Sequence, residues 1–153
     1  MASADDRLAM TRLAFAGLDR VIIDDREMRR SGPSFTVDTL AELAEERPGV
    51  RLFFLIGSDN LPLLPTWHDH HRLLELATVV TWPRLGHPIS AAQLATLDLL
   101  KHEQEALLKS TLTLPADDVA ASSLRARLRS GEAQPAELHR DVSDFIHRRG
   151  LYR

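Results

Sequence analysis

Five consecutive apolar residues, Leu52-Phe53-Phe54-Leu55-Ile56, run directly into Gly57-Ser58-Asp59, and no other stretch constrains the fold of this chain as much. A run this short, rich in aromatic and branched side chains and closed by glycine, reads as a strand buried on both faces of a parallel sheet. Ligands in open α/β sheets gather at the carboxyl ends of such strands. At that end Gly57 keeps a Cβ out of the path of an approaching ligand, and Asp59 offers a carboxylate to sugar hydroxyls. The same residues also read as a strand end followed by a helix cap, with Ser58 or Asp59 capping. The run by itself leaves both readings open.

The rest of the chain alternates helix and strand signals. A helix is predicted over residues 6–16, a short strand at Val21-Ile22-Ile23 and a turn at Gly32-Pro33. Residues 36–47 read as a helix with Val37, Leu40, Ala41 and Ala44 on one face and Pro48-Gly49 as its stop. Beyond the central strand, helices are predicted at about 59–63 and 70–77, then a strand at 78–82 ended by Pro83. Residues 90–109 read as helical, 111–114 as a last short strand, and 122–129 and 142–149 as closing helices. Strands alternating with helices predict an α/β fold, a parallel sheet with helices on both faces.

Composition removes several function classes. At 153 residues the chain is long enough for one domain with a real core. A net charge of −3 gives no general attraction to nucleic acid or to an acidic membrane surface, so any phosphate must be held by local basic groups. Cysteine is absent, which excludes a disulfide framework, a thiolate nucleophile and sulfur ligands for a metal. The acidic start Met1-Ala2-Ser3-Ala4-Asp5-Asp6 has no signal-peptide apolar region. No apolar run approaches the roughly 20 residues that a membrane-spanning helix needs, and cytoplasm is the expected location.

Three motifs follow one another in this sequence: Ser34-Phe35-Thr36-Val37-Asp38-Thr39-Leu40, Ile56-Gly57-Ser58-Asp59 and Leu64-Pro65-Thr66-Trp67. In letters, order and spacing they resemble the S-[YF]-T-x-D-T-L, I-G-[AS]-D and L-P-x-W motifs of bacterial nicotinate-nucleotide adenylyltransferases. The resemblance extends upstream through Glu27-Met28-Arg29-Arg30-Ser31-Gly32-Pro33 and downstream to Phe145-Ile146-His147-Arg148-Arg149-Gly150-Leu151-Tyr152, and it is weakest between about Gly86 and Leu112. It implies a Rossmann-like sheet and transfer of AMP from ATP to nicotinate mononucleotide, giving nicotinate adenine dinucleotide and pyrophosphate, with magnesium carried by the triphosphate. By position it implies Thr36 and Thr39 beside the pyridine nucleotide, Trp67 stacked on its ring, and Gly57 with Asp59 lining the dinucleotide site. The threonine and tryptophan motifs favour a pyridine substrate over pantetheine phosphate. An electron-poor ring stacks well on indole, and related base–aromatic stacking contributes about 1–3 kcal/mol.

The sequence departs from that pattern in three places. The family's G-x-F-D-P-x-H-x-G-H segment is absent, so no catalytic residue is identified, and the expectation is a single domain over residues 1–153 truncated at its N-terminus. An exposed apolar cleft and lowered stability are expected with it, because each large side chain left uncovered forgoes about 1.5–3 kcal/mol. Where the family has I-S-S-T-x-I-R, this chain has Val119-Ala120-Ala121-Ser122-Ser123-Leu124-Arg125. A helix start there still points N–H groups at phosphate, and Ser122 and Arg125 are implied as ATP contacts. A solvated helix with Arg125, Arg127 and Arg129 outward is the plain alternative.

Trp82-Pro83-Arg84 transposes the family's R-P-G, which leaves Arg84 as a phosphate or nicotinate-carboxylate contact or as a surface loop arginine. Arg26, Arg29 and Arg30 read as a solvated turn. His68-Asp69-His70-His71 has adjacent rather than i,i+4 spacing and reads as a helix start rather than a metal site. Set against the enzyme is a non-catalytic nucleotide-binding remnant that keeps the pyridine side of the cleft.

Overall fold

The computed structural model describes residues 2–116 and 119–153. The chain divides into two compact units, one formed by residues 30–118 and the other by residues 1–29 with 119–153.

The unit formed by residues 30–118 is built around two parallel strands. Helix α2 spans Arg26–Arg29 just before it, and α3 spans Thr36–Glu46. Strand β1 is Leu52–Gly57; a 3-10 helix over Ser58–Thr66 and helix α4, His70–Leu76, carry the chain back to strand β2, Ala77–Trp82. β1 and β2 pair in parallel from Leu52 opposite Ala77 to Gly57 opposite Trp82. This is the strand–helix–strand crossover between parallel neighbours that the alternating pattern predicts. Helices α5, Ala91–Leu94, and α6, Lys101–Lys109, complete the unit. One core holds it together: Val37 and Leu40 of α3, Ile56 of β1, Leu61 and Leu64 of the 3-10 helix, Leu73 of α4, Val79 of β2 and Leu107 of α6 are all buried.

Apolar residues on β1 do not all go inward. Ile56 is buried, with Leu52 and Phe54 packed against the core, whereas Phe53 and Leu55 are 57% and 58% exposed. Burial on both faces is therefore corrected to burial on one. On the other face the Arg51 guanidinium lies over the exposed Phe53 ring at 4.9 Å.

The second unit pairs helix α1, Ala4–Ala14, with helix α8, Arg140–Arg149, and adds α7, Ala121–Arg129. Ser3 caps α1 in a reciprocal box, donating from its hydroxyl to Asp6 at 2.8 Å and accepting from the Asp6 N–H at 3.0 Å. Arg149 donates to the same carboxylate at 3.0 Å. The Ser3 hydrogen bond, then Arg149, hold the Asp6 carboxyl below its ordinary value.

Three sequence expectations change. Val21-Ile22-Ile23 forms no strand and Ile22 is 73% exposed, since a short apolar run becomes a strand only with a hydrogen-bonding neighbour. Residues 111–114 shrink to a single parallel bridge between Thr111 and Thr81, in which the Leu112 N–H donates to the Thr81 carbonyl at 3.0 Å and Pro83 has no N–H for the next bond. Residues 90–109 break into α5 and α6, because the Glu103 carboxylate accepts the Leu100 N–H at 2.7 Å and caps a new helix there.

Candidate active site: an aromatic hollow and a glycine corner

The sequence around Ser34-Phe35-Thr36 turns from extended chain into α3 without a side-chain cap, Phe35 standing at the N-cap position. That uncapped helix start borders a hollow of about 290 Å³ lined by Ser34, Phe35, Thr36, Thr66, Trp67, His68 and Leu73. Trp67 ends the 3-10 helix, its N–H bonded to the Leu64 carbonyl at 3.0 Å. It is held from the sheet by Phe54, edge to face at 6.0 Å between ring centroids. Trp67 is thus both a half-buried packing residue and a wall of the hollow. Across it, the His68 ring lies on Phe35 at 4.2 Å.

Thr36 and Trp67 meet in this hollow, and Thr39 does not line it. The Thr39 hydroxyl instead accepts from Arg30 at 2.9 Å, and the Ser34 hydroxyl accepts from the same guanidinium nitrogen at 3.0 Å. Arg30 also pairs with Glu42 at 2.7 Å, and its side chain is only 18% exposed. The expectation of a solvated turn is corrected for Arg30: one guanidinium ties the loop before α3 to the helix itself. Arg29 pairs with Asp25 on the surface, and the Arg26 guanidinium donates to Asp24, whose carboxyl is lowered chiefly by the Arg26 backbone N–H.

A second cluster forms at the carboxyl end of β1. A Cβ on Gly57 would run into the Asp59 carboxylate and stand 3.2 Å from Arg84 Cγ, so the glycine is what lets these three residues gather. Arg84 Nε lies 3.7 Å from Asp59 Oδ1. Ser58, buried beneath them, accepts the Arg84 N–H at 2.9 Å and donates to the His87 carbonyl at 2.7 Å, which fixes the loop after β2 against the end of β1. Gly57, Asp59 and Arg84 are therefore neighbours, and Arg84 is a tethered loop arginine rather than a free one.

His70 and His71 stack at 4.0 Å, and His71 Nδ1 meets the buried Glu103 carboxylate at 2.8 Å. That hydrogen bond raises the His71 imidazole above its ordinary value. In the other unit, Ser122 is exposed in the first turn of α7, whose N-cap Ala120 supplies no side-chain bond. Arg127 on that helix is forked onto Glu132 at 2.6 Å and paired with Glu137 at 2.8 Å, and it lowers both carboxyls. Among the described residues Arg125 makes no such pair, so of these two arginines it is the one open to an anion.

Comparison of the fold gives the class. The chain superposes on the nicotinic acid mononucleotide adenylyltransferase of Plasmodium falciparum, solved with APC and with NaAD, with TM-scores of 0.71 and 0.72 at 17% identity. The match covers 99% of this chain and 77% and 75% of those chains. The fold is that of the Rossmann-like nucleotidyltransferases. No family model matches the chain. Curated relatives match it at full length: the probable nicotinate-nucleotide adenylyltransferase of Klebsiella pneumoniae is 36% identical over 162 residues, covering 99% of this chain and 75% of the relative. Those of Aeromonas hydrophila and Chromobacterium violaceum are each 37% identical, again over 99% of this chain and 75% and 76% of theirs. This chain belongs to the nicotinate-nucleotide adenylyltransferase family and spans about three quarters of the length of those relatives.

Proposed function

We propose that the chain serves the family's reaction on the acid form of the pyridine nucleotide, with turnover requiring the G-x-F-D-P-x-H-x-G-H segment that this sequence lacks. A phosphate oxygen of nicotinate mononucleotide attacks the α-phosphorus of ATP, the bond to the β,γ-diphosphate breaks, and nicotinate adenine dinucleotide and pyrophosphate leave. Trp67 stacks on the pyridine ring while Thr36 and the open start of α3 border it. Gly57 leaves room for the nucleotide at the end of β1, where Asp59 accepts sugar hydroxyls and Arg84 meets phosphate. Thr39 acts through Arg30, which holds the loop. Ser122 and Arg125 meet the phosphates of ATP.

Magnesium enters with the triphosphate as part of that substrate; among the described residues no three acidic or histidine side chains gather to hold an ion. No helix among the described residues is long and apolar enough to cross a membrane. The cysteine-free sequence suits a reducing cytoplasm, where we place the reaction.

The observation that carries this reading is the meeting of Thr36 and Trp67, from motifs about thirty residues apart, on the walls of one hollow. The chain extended by the family's G-x-F-D-P-x-H-x-G-H segment, incubated with ATP, magnesium and nicotinate mononucleotide, is expected to release pyrophosphate, and Trp67→Ala to raise the KM for the mononucleotide. Quenching of Trp67 by the mononucleotide without pyrophosphate release would instead identify a binding module without turnover.

A further inference from the structure

Gly57, Ser58 and Asp59 each hold a different part of Arg84. The arginine's methylenes run over Gly57, where Cγ and Cδ lie 3.2 and 3.4 Å from the place a Cβ would take. The Asp59 carboxylate lies 3.7 Å from its Nε. Ser58 accepts its backbone N–H at 2.9 Å. Three consecutive residues at the carboxyl end of β1 thus address one arginine on the loop after β2.

Ser58 does this from within a turn. Residues 84–87 close on themselves through the His87 N–H, which donates to the Arg84 carbonyl at 3.1 Å, with Gly86 in the left-handed region at φ 78°. In a regular antiparallel pair the Arg84 N–H would return a bond to the His87 carbonyl. Here the Ser58 hydroxyl stands between the two, accepting from the first at 2.9 Å and donating to the second at 2.7 Å. One hydroxyl, 3% exposed, therefore satisfies both groups and anchors the turn to β1. The turn is otherwise lightly held. Leu85 at its tip is 65% exposed, and hollows of about 200 and 340 Å³ border it. The Arg84–Asp59 pair is too long and too exposed to fix it alone.

Resting on the proposed reading of Arg84 as a phosphate contact, we infer that Ser58 is a positioning residue whose hydroxyl sets where the Arg84 guanidinium stands, and with it how much the ligand's phosphate contributes to binding. Ser58 touches no phosphate itself; its hydroxyl is spent on the turn and acts through the arginine. Without it the Arg84 N–H and the His87 carbonyl must close on each other or turn to water, and either change moves the base of the arginine while Gly57 and Asp59 stay with β1. A forked contact with phosphate is sensitive to such a shift because it depends on direction as well as distance.

The test is a calorimetric titration of the whole chain with nicotinate mononucleotide and with nicotinate riboside, which lacks only the 5′-phosphate, so that the ratio of the two Kd values isolates the share of the phosphate. Arg84→Ala is expected to lower that ratio about tenfold and Ser58→Ala about fivefold. Added to Arg84→Ala, Ser58→Ala is expected to lower it no further, because its effect runs through the missing guanidinium. The riboside is expected to bind all these variants alike. A Ser58→Ala chain that keeps the native ratio, that weakens both ligands equally, or that lowers the ratio again in the Arg84→Ala background overturns the inference and leaves Arg84 as a contact. An Arg84→Ala chain with the native ratio overturns the phosphate contact and the inference together, as does binding of neither ligand to the native chain. If Ser58→Ala does not fold, amide exchange of the native chain decides. By reciprocity the mononucleotide is expected to slow exchange of the Arg84 amide more than the riboside does, and equal protection by the two overturns the inference.

Discussion

Gly57→Ala separates what the glycine corner does for binding from what it does for folding. Gly57 sits at φ −75° and ψ 151°, an extended conformation that alanine adopts without strain. The added methyl displaces the Asp59 carboxylate and presses on Arg84 Cγ at 3.2 Å, both parts of side chains that swing toward solvent. The ion pair lost is a modest one, 3.7 Å apart with the Arg84 and Asp59 side chains 26% and 39% exposed. Such a pair contributes about 0.2–1 kcal/mol. Replacing glycine at a compatible backbone position returns about 0.4–1 kcal/mol by narrowing the unfolded ensemble. The two nearly cancel, and the thermal midpoint is expected to move by no more than about 4 °C. Binding does not cancel: with Asp59 displaced, the ligand loses a charge-assisted hydrogen bond of about 1.5–3 kcal/mol, on the order of tenfold or more in affinity. Thermal unfolding is read beside nucleotide titration. An unchanged midpoint with unchanged affinity refutes the placement of this corner against ligand, and a midpoint lowered by about 10 °C refutes the claim that Gly57 is there for access rather than packing.

Other perturbations test the surrounding framework. Arg30→Met removes the donor shared by Ser34 and Thr39 and the partner of Glu42, and is expected to cost about 1–3 kcal/mol in urea unfolding and to weaken mononucleotide binding. Arg30→Lys restores charge without the planar fork; full recovery by lysine contradicts the role given to Arg30. For His71, the Glu103 hydrogen bond raises the imidazole above its ordinary 6.5, so its contribution is complete below that value and is lost as pH rises through the higher folded-state value. The midpoint gap between the native chain and His71→Gln is therefore expected to be widest near about pH 5.5 and to close by about pH 8.5, and a gap that widens with pH would reverse the assignment. Phe53→Thr on the open face of β1 is expected to cost less than about 1 kcal/mol, mainly its contact with Arg51; a loss of about 3 kcal/mol or more in urea unfolding shows that this face is covered in solution.

What could be read from the sequence followed from local signals. Helix α3 was legible because Val37, Leu40, Ala41 and Ala44 repeat at helical spacing before Pro48-Gly49, and β1 and β2 because their apolar runs end in Gly57 and Pro83. That Thr36 and Trp67 line one hollow was implied only by the family resemblance of their motifs. Arg30 was not legible, because its importance comes from Ser34, Thr39 and Glu42 converging on it from 4, 9 and 12 residues away, and nothing in Arg29-Arg30 distinguishes one arginine from the other. The break between α5 and α6 has no proline or glycine to announce it; the faint signal is Glu103 standing three residues after its cap, Leu100. The open face of β1 was hidden by a run whose alternate residues are all apolar, so periodicity could not tell one buried face from two.

The two clusters of the candidate site are placed by one element. Pro62 and Pro65 remove donors from the segment after β1, and it runs as a 3-10 helix of 9 residues where an α-helix would have advanced less per residue. Asp59 stands at its start and Trp67 caps its end, so at a rise of about 2.0 Å per residue the two lie up to about 16 Å apart along it. An α-helix over the same steps would span about 12 Å. Asp59 therefore stays with Gly57 and Arg84 at the strand end while Trp67 reaches the start of α3, and neither cluster needs the other's residues to form. That separation suits a ligand with two ends better than one compact ring. On the proposed reading, the aromatic hollow recognises the pyridine, the corner takes the sugar-phosphate part, and the proline-bearing helix sets the spacing between them.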